Sequence, residues 1–92
     1  MAFRLFTTHA FDKDVKRCKK RGYPMEELAI VIDDLIKDGK VDAKYHPHIL
    51  SGNRQGQWEC HIRPDWLLVW KQNDQELILL MLNTGTHSDV FG

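Results

Sequence analysis

Ninety-two residues, 42% of them hydrophobic and 28% charged, suit a single domain over 1–92 with one core and exclude a disordered chain. No apolar run approaches the roughly 20 residues of a membrane span, and MAFRLFTTHA meets a charge too early for a secretory signal, so a cytoplasmic protein without a membrane partner is expected. The formal net charge is zero, yet residues 1–22 carry net +5 and residues 23–39 net −4, so attraction for phosphates or an acidic partner has to come from the first segment.

Taken in chain order, Phe3 to Thr7 alternates weakly and predicts a first strand. Thr7 or Thr8 is placed to cap a helix running to about Arg21, with Phe11, Val15 and Cys18 forming an apolar stripe and Gly22 as the stop. Lys13, Lys16, Arg17, Lys19, Lys20 and Arg21 occupy its other faces, either as a contact surface or as a plain solvated face. A second helix opens at Pro24, with Glu26 and Glu27 well placed against the helix dipole. Leu28, Val31, Ile32, Leu35 and Ile36 keep helical spacing and Gly39 ends the run, so the two helices are expected to form an antiparallel hairpin.

Lys40 to Gly56 has little periodicity and reads as a long irregular loop holding His46 and His48, and loops of that length inside small domains are often functional. From Trp58 to Arg63 the residues alternate, with Trp58, Cys60 and Ile62 on one side and Glu59, His61 and Arg63 on the other. Pro64 and Asp65 make a corner, because proline gives no N–H to a ladder and aspartate favours turns. Trp66 to Trp70 is apolar on both faces, as in a central strand covered on each side. Gln72 to Gln75 predicts a hairpin turn and Leu77 to Leu82 another covered strand, after which Gly85 leads to a tail with a helical turn at Ser88 to Phe91. Cys18 and Cys60 both fall on apolar positions and read as reduced core residues.

Five histidines are many for this length, and imidazole suits proton transfer near neutral pH. His48, His61 and His87 each lie at a strand end or in the irregular loop, with Asp65 beside the corner. Cleavage of a phosphodiester needs a base for a 2′-hydroxyl, an acid for the leaving oxygen and a cation beside the developing charge. Two histidines and Arg63 supply those types, and Trp66 or Phe91 could stack a base. Each also has a plainer explanation: a solvated histidine, a core tryptophan, an arginine paired with Glu59 or Asp65. A zinc site from His46 and His48 with His61 or His87 has Pro47 between two ligands and none of the usual ligand spacings. There is no phosphate-binding glycine loop, and Cys60 points away from His61, against a Cys–His nucleophile.

The run HILSGNRQGQWECHIRPDWLLVWK, followed by ELILLMLNTGTHSDVFG, resembles the YafQ branch of the RelE/ParE toxins, the toxin halves of bacterial type II toxin–antitoxin pairs. The resemblance covers nearly the whole chain and implies an α+β, RelE-like fold: an N-terminal helix hairpin on a twisted antiparallel sheet of about four strands, with a short C-terminal helical turn. It implies an mRNA interferase, an endoribonuclease that cuts translated mRNA in the ribosomal A site by 2′-hydroxyl attack, without metal or cofactor. By the same resemblance the active positions are His48, His61, Asp65, Trp66, His87 and Phe91. The histidines handle protons and phosphate, Asp65 transfers a proton or orients a histidine, and Phe91 stacks on the base. The implied partners are a cognate antitoxin, the 70S ribosome with its mRNA, and operator DNA only through the antitoxin complex. The basic residues Lys13, Lys16, Arg17, Lys19, Lys20 and Arg21 are the expected ribosome or antitoxin contact. Two other classes share the expected fold, a ParE-like protein that binds a target such as DNA gyrase and a non-catalytic antitoxin-binding module.

Overall fold

The start and stop signals of the helices act where they stand in the chain. Thr8 caps α1 (His9–Lys20), its hydroxyl accepting from the Phe11 N–H at 3.0 Å. Pro24 precedes α2 (Met25–Asp38), which Gly39 ends in the left-handed conformation with φ 66°, its N–H donating to the Leu35 carbonyl at 2.8 Å. A side chain at Gly39 would meet the Phe3 ring at 2.7 Å, so glycine here serves both the turn and the packing of the N-terminal segment. The computed structural model describes residues 2–92 and adds a third helix, α3 (His87–Phe91), together with β1 (Arg4–Thr7), β2 (His48–Ile49), β3 (Trp58–Arg63), β4 (Trp66–Asn73) and β5 (Ile78–Gly85).

The strands form one five-stranded sheet in the order β1-β5-β4-β3-β2. The fold is α+β as expected, with two differences from an antiparallel sheet of about four strands. First, β1 pairs parallel to β5, Arg4 opposite Ile78 through Thr7 opposite Met81. The other neighbours are antiparallel. Second, the irregular stretch 40–56 contains β2, two residues on the sheet edge, between helical turns at Ala43–Tyr45 and Gly52–Arg54. A strand of two residues has no alternation to read.

Strand alternation gives the sheet two unlike faces. On one, Cys60, Ile62, Trp66, Leu68, Trp70, Leu79 and Met81 meet Phe11 of α1 and Leu28, Val31 and Leu35 of α2 in one buried cluster. On the other, Leu67 and Val69 are covered by Val90 of α3. Each large apolar side chain removed from water contributes about 1.5–3 kcal/mol. Glu59 and His61 stand opposite Val69 and Leu67 in the β3–β4 register, so they belong to the α3 side of the sheet. Cys18 and Cys60 are free and fully buried, and burial pushes the Cys60 thiol up to about 12. Both behave as core residues, and neither carries a nucleophilic thiolate. Among the described residues no helix is long and apolar enough to cross a membrane.

Candidate active site

Three side chains converge where the sheet edge meets β3. Glu59 is only 6% exposed, although it is a carboxylate in the middle of a strand. The β2–β3 register sets His48 opposite it, and His61 follows two residues along the same face. Glu59 Oε1 lies 3.2 Å from His48 Nε2 and 3.3 Å from His61 Nε2, with the two imidazoles stacked at 6.4 Å between centroids. The far nitrogens explain the orientation. His48 Nδ1 is 3.0 Å from the His46 carbonyl oxygen, and His61 Nδ1 is 3.2 Å from the Pro64 carbonyl oxygen. A carbonyl only accepts, so Nδ1 carries the proton in both rings and Nε2 is the atom left to gain or lose one. A buried carboxylate thus faces two proton-exchanging nitrogens and attracts whichever becomes positive. His46, whose carbonyl orients His48, sits at φ 51°, an unusual conformation for a non-glycine residue.

The Pro64–Asp65 corner ties a second group to the first. A register irregularity between His61 and Arg63 ends the β3 ladder there. Pro64 holds His61 through its carbonyl, while Asp65 Oδ1 accepts from the His87 N–H at 3.2 Å. Thr86 and Asp89 close a capping box that starts α3, so His87 and Phe91 lie one turn apart with ring centroids at 4.9 Å. Phe91 is 38% exposed, and the Arg54 guanidinium carbon lies 5.3 Å from its ring centroid. Arg54 itself donates to Gln57 Oε1, Asn83 Oδ1 and the Val90 carbonyl at 3.0, 3.0 and 3.2 Å, joining the long loop to β5 and α3. A cleft of about 460 Å³ opens beside His61, lined also by Lys44, His46, Ile62, Arg63 and Pro64, within the size range of small-molecule sites.

Three expectations need correction. Trp66 does not offer a stacking face: it is 2% exposed, its Nε1 donates to Thr84 Oγ1 at 2.9 Å, and its ring packs edge-on against Tyr23 at 4.9 Å. Arg63 lines the cleft, but Glu27 of α2 holds its guanidinium at both ends, at 3.0 and 2.6 Å, instead of leaving it free beside His61. Arg17 and Arg21 are not free members of a basic surface, because Arg17 pairs with Asp14 at 2.9 Å and Arg21 with Asp89 at 2.5 Å. Lys13, Lys16, Lys19 and Lys20 remain as the cationic part of α1; His9, Lys13, Lys16 and Lys20 share a shallow depression with Arg17. Among the described residues no group of three or more His, Cys, Asp or Glu side chains is placed to hold a metal ion, the combination of His46 and His48 with His61 or His87 included. Two residues were missed by sequence reasoning. Glu59 had a signal, a carboxylate on the same strand face as His61; Arg54, in a stretch without periodicity, had none.

The Arg21 hydrogen bond, followed by the Thr86 backbone N–H, holds the Asp89 carboxyl well below the usual carboxylate range. A depressed folded-state pKa contributes stability above the unfolded value of about 3.9, and that contribution is lost as the pH falls toward the folded value. Wild type is therefore expected to melt above Asp89→Asn at neutral pH, with the gap closing below about pH 4. Thermal melts of both proteins from about pH 6 to about pH 2 check this, and a gap that widens in acid would contradict the ion pair.

The same helix-backed sheet is found in solved bacterial toxins. Residues 3–92 match the family described as the bacterial toxin of type II toxin–antitoxin system, YafQ. The mRNA interferase toxin YafQ of Escherichia coli strain K12 is 36% identical over 83 residues, covering 89% of this chain and 88% of that protein. The E. coli DinJ-YafQ toxin–antitoxin complex contains a chain that superposes with a TM-score of 0.89 at 32% identity, over 100% of both chains. A metal-bound toxin from Helicobacter pylori superposes with a TM-score of 0.87 at 35% identity, over 99% of this chain and 100% of that one. The chain belongs to the YafQ family of type II toxins.

Proposed function

We propose that the chain is the toxin of an antitoxin-controlled pair and acts as an endoribonuclease on translated mRNA in the ribosomal A site. The observation that carries this reading is Glu59 Oε1 within 3.2 and 3.3 Å of two imidazole Nε2 atoms. His61 Nε2 takes the proton from a ribose 2′-hydroxyl, and the resulting oxygen attacks the adjacent phosphorus. The imidazolium forms beside Glu59, which stabilises it, while His48 balances the carboxylate from the other side. The bond from phosphorus to the 5′-oxygen breaks, and His87, fixed to the same corner as His61, returns a proton to that oxygen. The products are a 2′,3′-cyclic phosphate and a free 5′-hydroxyl, with protons balanced. Each transfer is worth about 10²–10⁴ in rate. Phe91, half exposed and carrying a cation on its ring, stacks the base, and Asp65 positions His87 through its backbone.

The curated relative named an mRNA interferase supports RNA as the substrate, and the complex with DinJ supports an antitoxin as the partner. Operator DNA would then be reached only through that antitoxin complex. Ribosome contact falls to Lys13, Lys16, Lys19 and Lys20, and the zero net charge makes this local cluster the main electrostatic attraction. The chemistry asks for no metal. Primer extension on an mRNA held by purified bacterial ribosomes tests the reading, with wild type and His87→Ala side by side, with and without ribosomes, and with and without a transition-metal chelator in buffer that keeps the Mg²⁺ the ribosomes need. The expected result is an A-site cut that needs ribosomes and His87 and survives chelation. A cut abolished by the chelator would instead give a metal, such as the one in the H. pylori toxin, a part in the reaction. No cut by folded wild type would remove the nuclease reading altogether.

A further inference from the structure

Nothing in α3 itself is strong enough to hold it in place. It has five residues, too few to be stable as an isolated helix, and only Val90 is buried. Yet it carries His87 and Phe91. Val90 rests on Leu67 and Val69, Arg54 and Asp65 each bond its backbone, and α1 adds a charged tie. Arg21 donates to both oxygens of Asp89, at 2.5 and 3.2 Å, in the two-pronged geometry that only arginine offers a carboxylate. Asp89 Oδ2 also accepts from the Thr86 N–H at 2.9 Å, and Arg17 Nε lies 3.8 Å away. Behind this pair Arg17 holds Asp14, whose other oxygen accepts from the Thr84 N–H at 3.1 Å and from Asn83 Nδ2 at 3.3 Å. Gly85 leaves the space this network needs: a Cβ there would lie 2.8 Å from Asp89 Oδ2 and 3.3 Å from the terminal nitrogen of Arg17, and its φ of 145° suits glycine alone.

We propose that Arg21 and Asp89 are positioning residues for RNA cleavage, their ion pair fixing α3 so that the His87 imidazole and the Phe91 ring meet the scissile phosphate. This rests on the nuclease reading above, and it gives Arg21 a different task from the ribosome contact that its place in a basic helix suggests. A contact residue contributes to binding in ground and transition states alike, and its loss raises KM; a positioning residue acts on the reacting geometry, and its loss lowers kcat.

The experiment measures cleavage of ribosome-bound mRNA by wild type, Arg21→Gln, Arg21→Lys, Asp89→Asn and the double variant, together with amide hydrogen exchange of residues 87–91 in the free protein. Misplacing a catalytic group by a fraction of its reach costs rate steeply, so Arg21→Gln is expected to lower kcat by about tenfold with KM changed less than about twofold. Exchange in α3 is expected to quicken, Arg21→Lys to recover part of both effects, and the double variant to be no worse than the poorer single one. A rise in KM with kcat intact would overturn the proposal and return Arg21 to the contact surface. Unchanged exchange in α3 would overturn it as well. If wild type cuts no RNA while α3 exchange still responds to Arg21, the nuclease reading fails and the α1–α3 pairing stands.

Discussion

His61→Ala is expected to cut RNA at least ~10²-fold more slowly than wild type while remaining folded. The side chain is about one-third exposed and contacts Glu59 and a backbone carbonyl, so its removal takes no apolar volume from the core. Its loss removes the nitrogen proposed to receive the 2′-hydroxyl proton, and it leaves Glu59 facing His48 alone. Glu59→Gln isolates the electrostatic part. The amide keeps the shape of the carboxylate but not its charge, so the imidazolium formed during attack loses its counter-ion, and kcat is expected to fall while KM holds. Single-turnover cleavage with matched circular dichroism spectra measures both. A His61→Ala protein that cuts within about twofold of wild type would assign the base to another group.

Trp70→Ala is expected to cost about 3–5 kcal/mol, a large share of what a domain of this size has. Trp70 is 1% exposed at the centre of β4, between β3 and β5. Its ring stacks on Trp58 at 6.1 Å, and its Nε1 donates to Gln72 Oε1 at 3.0 Å. Gln72 in turn donates to the Gly39 carbonyl at 2.8 Å, so removal of the indole also frees the side chain that closes the end of α2. The loss therefore combines a cavity in the sheet with a loosened helix terminus. Urea unfolding followed by circular dichroism gives the number directly, and a cost below about 1 kcal/mol would show that the core collapses around the gap.

What the sequence disclosed was local in range. The Thr8 cap, the Gly39 stop, the alternation through β3 and the doubly covered β4 each rest on neighbours a few positions apart, and all are found where the residues placed them. The histidines at the Pro64–Asp65 corner were legible for the same reason. What stayed hidden was set by reach across the fold. The parallel pairing of β1, the bonds from Arg63 to Glu27 and from Arg21 to Asp89, and those from Arg54 to Asn83 and Val90 join residues far apart in the chain, and no periodicity records them. Trp66 misled because an aromatic at a corner can face either way, and here a hydroxyl on β5 draws its indole N–H inward. The basic helix misled because counting charges does not say which of them are already spent.

The parallel edge strand also bears on the order in which the chain can assemble. Strands β3, β4 and β5 are successive hairpin partners whose pairing closes only short loops, whereas β1 has β5 as its sole neighbour and meets it across a chain separation of 74 residues, the same span as the bond from the Thr8 hydroxyl to the Leu82 carbonyl. On a chain emerging from synthesis, residues 4–7 therefore have no strand to join until residues 78–81 exist. The segment that completes the sheet is followed directly by the helix that carries His87 and Phe91. Sheet and α3 are thus finished together, so a half-made copy of this toxin has neither its last strand pairing nor the helix that bears His87 and Phe91.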